Sequence, residues 1–304
     1  MESLSVDLFI RLNLSSHDAA RLAATSTRMA AIVYAAWCAS GITVHQRAIS
    51  AVADTERLWP ITSLTLHNSP WWCKNCCFPR HATLGKFTCL RRLILRHVLP
   101  PAANLPALRH LEMTMCVDTI LKSDTLHAFL ASVVDHIESL SLSTQGSLAR
   151  YSGTAPALWS QSLRRCTLHG VSFFSLNAPI HSLDSDTSAA PPQFGPSCFA
   201  NLRRVHLYID AWHWHPDWRS FLSSCVALTD VVLVVSTPYA GAAEVVGGFV
   251  RATPEQLRRV DIRVNCQYVL LCELLRAKVD ELKVVRPLVA CSLVLPVPVP
   301  LEQA

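Results

Sequence analysis

Charged residues are scarce in this chain of 304 residues, at 16%, and glycine occurs only 9 times. Hydrophobic residues make up 51%, so nearly every segment has enough apolar side chains to be buried. No run reaches the roughly 18 consecutive apolar residues of a membrane helix, and Glu2 and Asp7 stand where a signal peptide carries basic residues. These absences predict a cytoplasmic or nuclear protein with no membrane segment.

The usual sequence motifs of catalysis are missing as well. The chain has no P-loop, no G-x-S-x-G, no H-E-x-x-H and no glycine-rich dinucleotide loop. The pair Gly247-Gly248 is followed by neither a helix start nor a lysine. We therefore expect a protein that is not an enzyme and that binds no cofactor.

Cysteine is abundant, with 12 residues. Most of them stand alone in apolar segments, which predicts buried free thiols in a reducing compartment. One C-x-x-C pair lies among other metal-ligand residue types, and the candidate zinc ligands are Cys73, Cys76, Cys77 and His81, with His67 and Cys89 nearby. No second C-x-x-C exists, and a loop packed by Trp71 and Trp72 needs no metal. We expect no metal site here.

A short apolar pattern recurs from residue 61 onward. Its form is apolar-x-x-apolar-x-apolar, and its nine copies begin at Ile61, Leu90, Leu108, Ile137, Leu163, Leu202, Leu228, Leu257 and Val279. Most copies start 22 to 29 residues apart. The 39 residues between Leu163 and Leu202 leave room for a weak further copy at Ile180, in a Ser-, Asp- and Pro-rich stretch that otherwise indicates an inserted loop.

Each copy predicts a short strand whose alternate residues point to opposite faces. Residues 125–134 and 218–225, between copies, have the apolar spacing of helices. Residues 108–116 and 257–265 match the nine-position motif of the leucine-rich-repeat family through its closing Cys or Asn, so the chain resembles that family. The resemblance implies an α/β solenoid over residues 46–295, a curved parallel sheet with helices or irregular segments on its convex side, followed by a Pro-rich tail, 296–304. An ordinary α/β domain with Leu-rich strands is the alternative.

The first 45 residues predict two or three short helices, because Ser5 and Ser16 each precede an aspartate and apolar residues follow at helical spacing. The run 4–8, the leucines that follow it and the run 18–29 resemble an F-box. In that family such helices bind a Skp1-like adaptor, and the residues expected to do so here are Leu4, Leu8, Leu12, Leu14 and Leu22. A cap on the first repeat is the alternative role for these helices.

Basic and aromatic side chains dominate the strand positions that point outward onto the predicted concave face. They are Arg92, Arg96, His110, Arg165, His169, Arg204, His206, Tyr208, Arg259 and Arg263, against the acidic residues Glu112, Asp230, Asp261 and Glu281. This predicts a surface for an acidic or phosphorylated protein. A nucleic acid partner is not expected, because the net charge is only +5 and the pI is near 8.6.

F-box-like helices joined to leucine-rich repeats imply, by resemblance, the substrate-recognition subunit of a cullin-type ubiquitin ligase. The chain would then hold a Skp1-like adaptor and cullin at one end and a protein substrate on the predicted sheet. The alternative is a structural scaffold built permanently into a large macromolecular assembly.

Overall fold

The computed structural model describes residues 16–45, 48–53, 58–68, 84–116, 123–144, 157–171, 175–187, 190–209, 215–236, 241–265 and 269–295. The chain forms two compact units, Met1–Gly146 and Ser147–Ala304. Both are α/β. All 14 of the described strands run parallel to their sheet neighbours, five in the first unit and nine in the second. The α/β class and the parallel strand arrangement that the repeat predicted are thus confirmed.

The first described elements of the first unit are two helices, α1 (Ser16–Ala23) and α2 (Thr27–Ser40). The Ser26 hydroxyl accepts a hydrogen bond from the Met29 backbone amide at 3.1 Å and so satisfies one of the amides left open at the start of α2. The helices pack through a small apolar cluster whose members are Ala19, Val33 and Ala36 with Ala23, Ile32 and Trp37. Helices were predicted in this segment, and residues 16–40 contain them.

Five parallel strands follow in the first unit: β1 (Ile42–His45), β2 (Ser63–His67), β3 (Arg92–Arg96), β4 (His110–Met115) and β5 (Ser139–Thr144). Strand β1 pairs with β2 and ends at residue 45, so the parallel sheet begins inside the segment 1–45 that the sequence assigned to helices. The described α-helices that accompany these strands are α3 (Ile49–Ala53) and α4 (Ser123–Val133). Helix α4 coincides with the helix predicted at 125–134.

The second unit contains six parallel strands in its larger sheet: β7 (Arg165–His169), β9 (Ser182–Asp186), β11 (Arg204–Ile209), β12 (Asp230–Val235), β13 (Arg259–Val264) and β14 (Ala290–Val294). A smaller parallel sheet holds β6 (Ala157–Trp159), β8 (Ser175–Asn177) and β10 (Gln193–Phe194). The described helices of this unit are α5 (Pro196–Asn201), α6 (Asp217–Ser224), α7 (Ala242–Ala252) and α8 (Val269–Val285). Helix α6 coincides with the helix predicted at 218–225.

Strand β9 occupies the stretch where the sequence left open a weak repeat or an inserted loop. It pairs with β7 on one side and with β11 on the other, so this stretch is a full repeat of the sheet. Leu183 and Ser185 fill its two buried positions, and the Ser185 hydroxyl donates to the Leu168 carbonyl at 2.8 Å. That hydrogen bond lets a serine take a position that leucine fills in other strands.

The ninth predicted repeat copy is wrong. Val279 lies inside helix α8, and the last strand is β14, which begins at Ala290. The buried residues of α8 are Leu271, Leu275, Val279 and Leu282, whose spacing is that of one helix face. Glu281, which the sequence placed on the sheet, is therefore a helix residue, and it pairs with Lys278 and Arg251.

Backbone hydrogen bonds fix the register of neighbouring strands. The carbonyl of Arg164 accepts the amides of His181 and Ser182, the carbonyl of His181 accepts those of Arg203 and Arg204, and the carbonyl of Arg203 accepts those of Thr229 and Asp230. The same two-amide contact is made by Thr62, Arg91 and Arg109 in the first unit. Side chains at equivalent positions of successive strands consequently stand in rows.

The search for membrane spans covered the described residues only. Within them, no helix is both long enough and apolar enough to cross a bilayer.

Two glycines allow the backbone conformation to be tested, because alanine should destabilise the chain at one position and stabilise it at the other. Gly41 ends α2 with a φ of 87°, and a Cβ there would lie 2.8 Å from the Ser63 backbone oxygen. Gly247 lies within α7, where a Cβ would meet its nearest atom, in Lys278, at 3.4 Å. We expect Gly41→Ala to lower the free energy of unfolding by more than about 1 kcal/mol and Gly247→Ala to raise it by about 0.5–1 kcal/mol.

Urea denaturation followed by circular dichroism measures both changes. Equal shifts of the two variants in the same direction would contradict this description of the two backbone positions.

Candidate protein-binding surface

The outer face of each sheet is defined here as the strand positions that alternate with the buried ones. All ten basic and aromatic residues predicted to point outward lie on it: Arg92 and Arg96 in β3, His110 in β4, Arg165 and His169 in β7, Arg204, His206 and Tyr208 in β11, and Arg259 and Arg263 in β13. Their neighbours along each strand, such as Leu93 and Val205, are fully buried. The strand geometry therefore brings these side chains to one face within each unit.

In the second unit the outer face has three rows, set by the strand register. The first row contains Arg165, Ser182, Arg204, Asp230, Arg259 and Ala290. The second contains Thr167, Asp184, His206, Val232, Asp261 and Ser292. The third contains Asp186, Tyr208, Val234, Arg263 and Val294. Positive charge is thus concentrated in the first row, at the N-terminal ends of the strands.

Two aspartates that the sequence reasoning missed lie in the middle of this face. The Asp184 carboxylate is 3.2 Å from His206 Nδ1 and 3.4 Å from His169 Nε2, and the Asp186 carboxylate is 3.9 Å from His169 Nδ1. The Tyr208 ring stands beside both histidines, with centroids 4.7 Å from His206 and 5.4 Å from His169. The predicted basic surface is therefore interrupted here by acidic groups. Recognising β9 as a strand would have revealed them.

Asp261 lies at the centre of a second cluster of charged side chains, formed with Arg259 and Arg263 of the same strand, β13. Its carboxylate accepts hydrogen bonds from the Ser292 hydroxyl at 2.7 Å and from two nitrogens of Arg263, at 2.9 and 3.1 Å. Arg259 lies 4.0 Å away. Burial by itself would raise the pKa of Asp261, but the hydrogen bonds from Ser292 and Arg263 and the charges of Arg263 and Arg259 lower it overall. Two of the predicted basic residues thus neutralise an aspartate of the same face.

The first unit has a more polar, less charged outer face. Arg92 pairs with Glu112 at 3.7 Å, and a pocket of about 260 Å³ lies between them, lined also by His110, Ser139 and Ser141. Burial, followed by the nearby His45 and Arg96, lowers the pKa of His67. A small pocket lined by hydroxyl groups suits hydrogen bonding to a partner rather than strong charge attraction.

The predicted adaptor-binding leucines fall almost entirely outside the described residues. Leu4, Leu8, Leu12 and Leu14 lie outside them, and Leu22 lies in α1 with an undescribed side chain. Helix α2 does present an outward-facing groove opposite its packed face. Its lining residues are Thr27, Ala31, Tyr34, Ala35 and Cys38, around a volume of about 450 Å³.

The zinc candidates Cys73, Cys76, Cys77 and His81 also lie outside the described residues. Within the part of the chain that the structure describes, no three or more His, Cys, Asp or Glu side chains are placed to hold a metal ion. The described cysteines are free thiols, and Cys116, Cys166, Cys198 and Cys225 are buried. Burial and then the Cys198 thiol raise the pKa of Cys225 to about 12, and the same two causes raise that of Cys166 further.

The buried aspartate gives a pH-dependent prediction. At pH 7, Asp261→Asn should lower the free energy of unfolding by about 1–3 kcal/mol, because Arg263 and Ser292 lose a charged acceptor. The folded pKa of Asp261 lies below the unfolded value of about 3.9, so its stabilising effect is complete above that pH and is lost as pH falls through the folded pKa. Urea denaturation should therefore show a difference between Asp261→Asn and the unaltered chain that shrinks towards pH 3.

Asp280→Asn is the matched control, because the Asp280 side chain on α8 is 73% exposed. We expect it to change stability little at any pH. A difference for Asp261→Asn that grows on acidification would contradict the assigned sign.

The thiols provide a prediction about reactivity. Iodoacetamide should modify the exposed Cys89 in the folded chain, whereas Cys166 and Cys225 should react only after denaturation, because the thiolate is the reactive form and burial suppresses it. Mass spectrometry of peptides from native and denatured samples measures this. Labelling of Cys166 at the rate of Cys89 in the native chain would contradict the packing described here.

Three comparisons with known proteins gave no match. No family model, curated protein or solved structure matches the chain.

Proposed function

We propose that this chain is a non-catalytic protein-binding module, the substrate-recognition subunit of a cullin-type ubiquitin ligase. The observation that carries the proposal is that most of the described strands have a buried, mainly apolar side and a more polar outer side. The parallel register holds the outer side chains of each unit in fixed rows, as a binding surface requires. Such an array suits recognition of a folded or extended protein better than catalysis.

Two family resemblances supply the rest of the proposal. The repeated strands with intervening helices are what a leucine-rich-repeat solenoid would form, and the outer faces would be its concave surface. The two helices at 16–40 fit the end of an F-box-like segment. Ala31, Tyr34 and Ala35 of α2 face outward, where they would dock against a Skp1-like adaptor that binds the cullin.

The mechanism would be proximity. The helical segment would hold the adaptor and cullin while the outer face holds a protein substrate. This raises the effective concentration of substrate lysines near a ubiquitin-charged enzyme that other subunits supply. The chain itself would perform no bond chemistry, and it would act in the cytoplasm or the nucleus.

The competing function is a scaffold built permanently into a large assembly. The observation that favours it is a group of exposed apolar side chains in the second unit, with Val284 82%, Val285 68% and Leu288 95% exposed. Exposed apolar side chains of this size are usual at permanent protein-protein interfaces. The scaffold function requires no adaptor.

A pull-down from cells separates the two functions. The intact chain should retain the Skp1-like adaptor and the cullin, and Ala31→Arg/Ala35→Arg should lose both, because two charged side chains would fill the groove on α2. The matched control is Ala128→Arg/Ala131→Arg, which places the same charges on exposed positions of α4 and should retain both proteins.

Circular dichroism of each variant establishes that it is folded. Absence of adaptor and cullin from the intact sample would reject the ligase function and favour the scaffold.

A further inference from the structure

The exposed arginines of the second unit's outer face are not equivalent. Arg259 and Arg263 lie beside the Asp261 carboxylate, at 4.0 and 2.9 Å. Arg165 and Arg204 are exposed, and neither has an ion-pair partner among the residues that the structure describes. Their guanidinium groups therefore keep their full capacity to bind an external anion.

The strand register places these two arginines on either side of one serine. Arg165 is opposite Ser182, and Ser182 is opposite Arg204, so the two arginines are separated by two strand spacings, or about 10 Å between backbones. Two arginine side chains can reach across that distance to one group between them. Ser182 is small and partly exposed, and its hydroxyl adds a donor beneath the anion.

The surroundings increase the positive potential on one side of this site. Arg164 and Arg203 precede Arg165 and Arg204, and His181 lies between them, immediately before β9. Burial lowers the pKa of His181, and the charges of Arg164 and Arg203 lower it further. The Arg164 guanidinium donates to the Gln161 carbonyl at 2.7 Å. Of the two neighbouring arginines, Arg165 is therefore the one whose exposed side chain can bind an external anion.

Two aspartates next to this site restrict the size of the anion that can bind there. Asp184 lies two residues beyond Ser182 on the same strand, and Asp230 is opposite Arg204 on the next strand. A nucleic acid, which carries a phosphate at every nucleotide, would bring neighbouring phosphates against these carboxylates. A single phosphoryl group on a protein side chain avoids them, and its three terminal oxygens can accept from two guanidinium groups at once.

We infer that Arg165 and Arg204, with Ser182 between them, form a subsite for a phosphorylated serine or threonine of the partner protein. The inference rests on the proposed function, in which this face holds a substrate, and it specifies phosphorylation as the chemical mark that is recognised. Binding would be to a single dianionic group rather than to an extended acidic surface.

The test uses the purified full chain and three immobilised peptide mixtures with random flanking residues. Their central residue is phosphoserine or phosphothreonine in the first, serine or threonine in the second, and glutamate in the third. The chain should be retained on the first mixture only. Arg165→Ala/Arg204→Ala should weaken that retention at least about tenfold, because both charged hydrogen-bond donors are removed.

Two further variants distinguish binding at this site from a general attraction between the basic chain and acidic peptides. Arg251→Ala/Arg276→Ala removes the same charge from exposed positions of α7 and α8 and should leave retention unchanged. Arg165→Lys/Arg204→Lys keeps the charge but loses the bidentate geometry. Its retention should therefore fall between that of the unaltered chain and that of Arg165→Ala/Arg204→Ala. Equal retention on the glutamate and phosphorylated mixtures, or equal losses in both alanine variants, would overturn the inference.

A uridine 20-mer of RNA is the last probe. Stronger retention on this RNA than on phosphopeptides, lost in Arg165→Ala/Arg204→Ala, would overturn the inference in favour of a nucleic acid surface. Failure with phosphopeptides while the adaptor is still pulled down would reject the subsite and leave the ligase proposal standing. Phosphopeptide binding without adaptor would instead support the subsite in a scaffold.

Discussion

A backbone contact at the start of most strands in the larger sheets determines the rest of this structure. One carbonyl ahead of a strand accepts two amides of the next strand, as Arg164 and His181 do, and this holds adjacent strands in register. Because side chains alternate along a strand, the register decides both which leucines are buried and which polar residues share a row. A slip of one residue would turn the apolar side of a strand outward, so the surface and the core depend on the same contact.

Much of the fold could be predicted from the spacing of apolar residues, because a strand buried on one face requires apolar residues at alternate positions. The prediction was wrong at Val279, where the pattern of a short strand also fits one face of a helix. There Leu271 and Leu275 extend the apolar spacing backwards at helical intervals, and burial of that longer face decides in favour of α8. The short strands β6, β8 and β10 have too few residues to produce any pattern of their own.

The candidate site was predicted less completely than the fold. The outward position of Arg165, Arg204 and the other basic residues followed from strand alternation alone. Asp184 and Asp186 were missed because β9 contains Ser185 at a buried position where most other strands carry leucine, and a serine is acceptable there only through its hydrogen bond to Leu168. That bond joins residues 17 apart in sequence, so no local pattern indicates it. Contacts between neighbouring strands, and the pairing of Arg263 with Asp261, likewise need the folded chain.

The separation of buried and outer positions along each strand has an evolutionary consequence. Substitutions on the outer face leave the apolar side and the backbone register unchanged, so they alter recognition at little cost in stability. Selection for a new partner and selection for folding would therefore act on different residues of the same strand. A lineage carrying this architecture could diversify its targets through a few codons while its scaffold stayed under purifying selection.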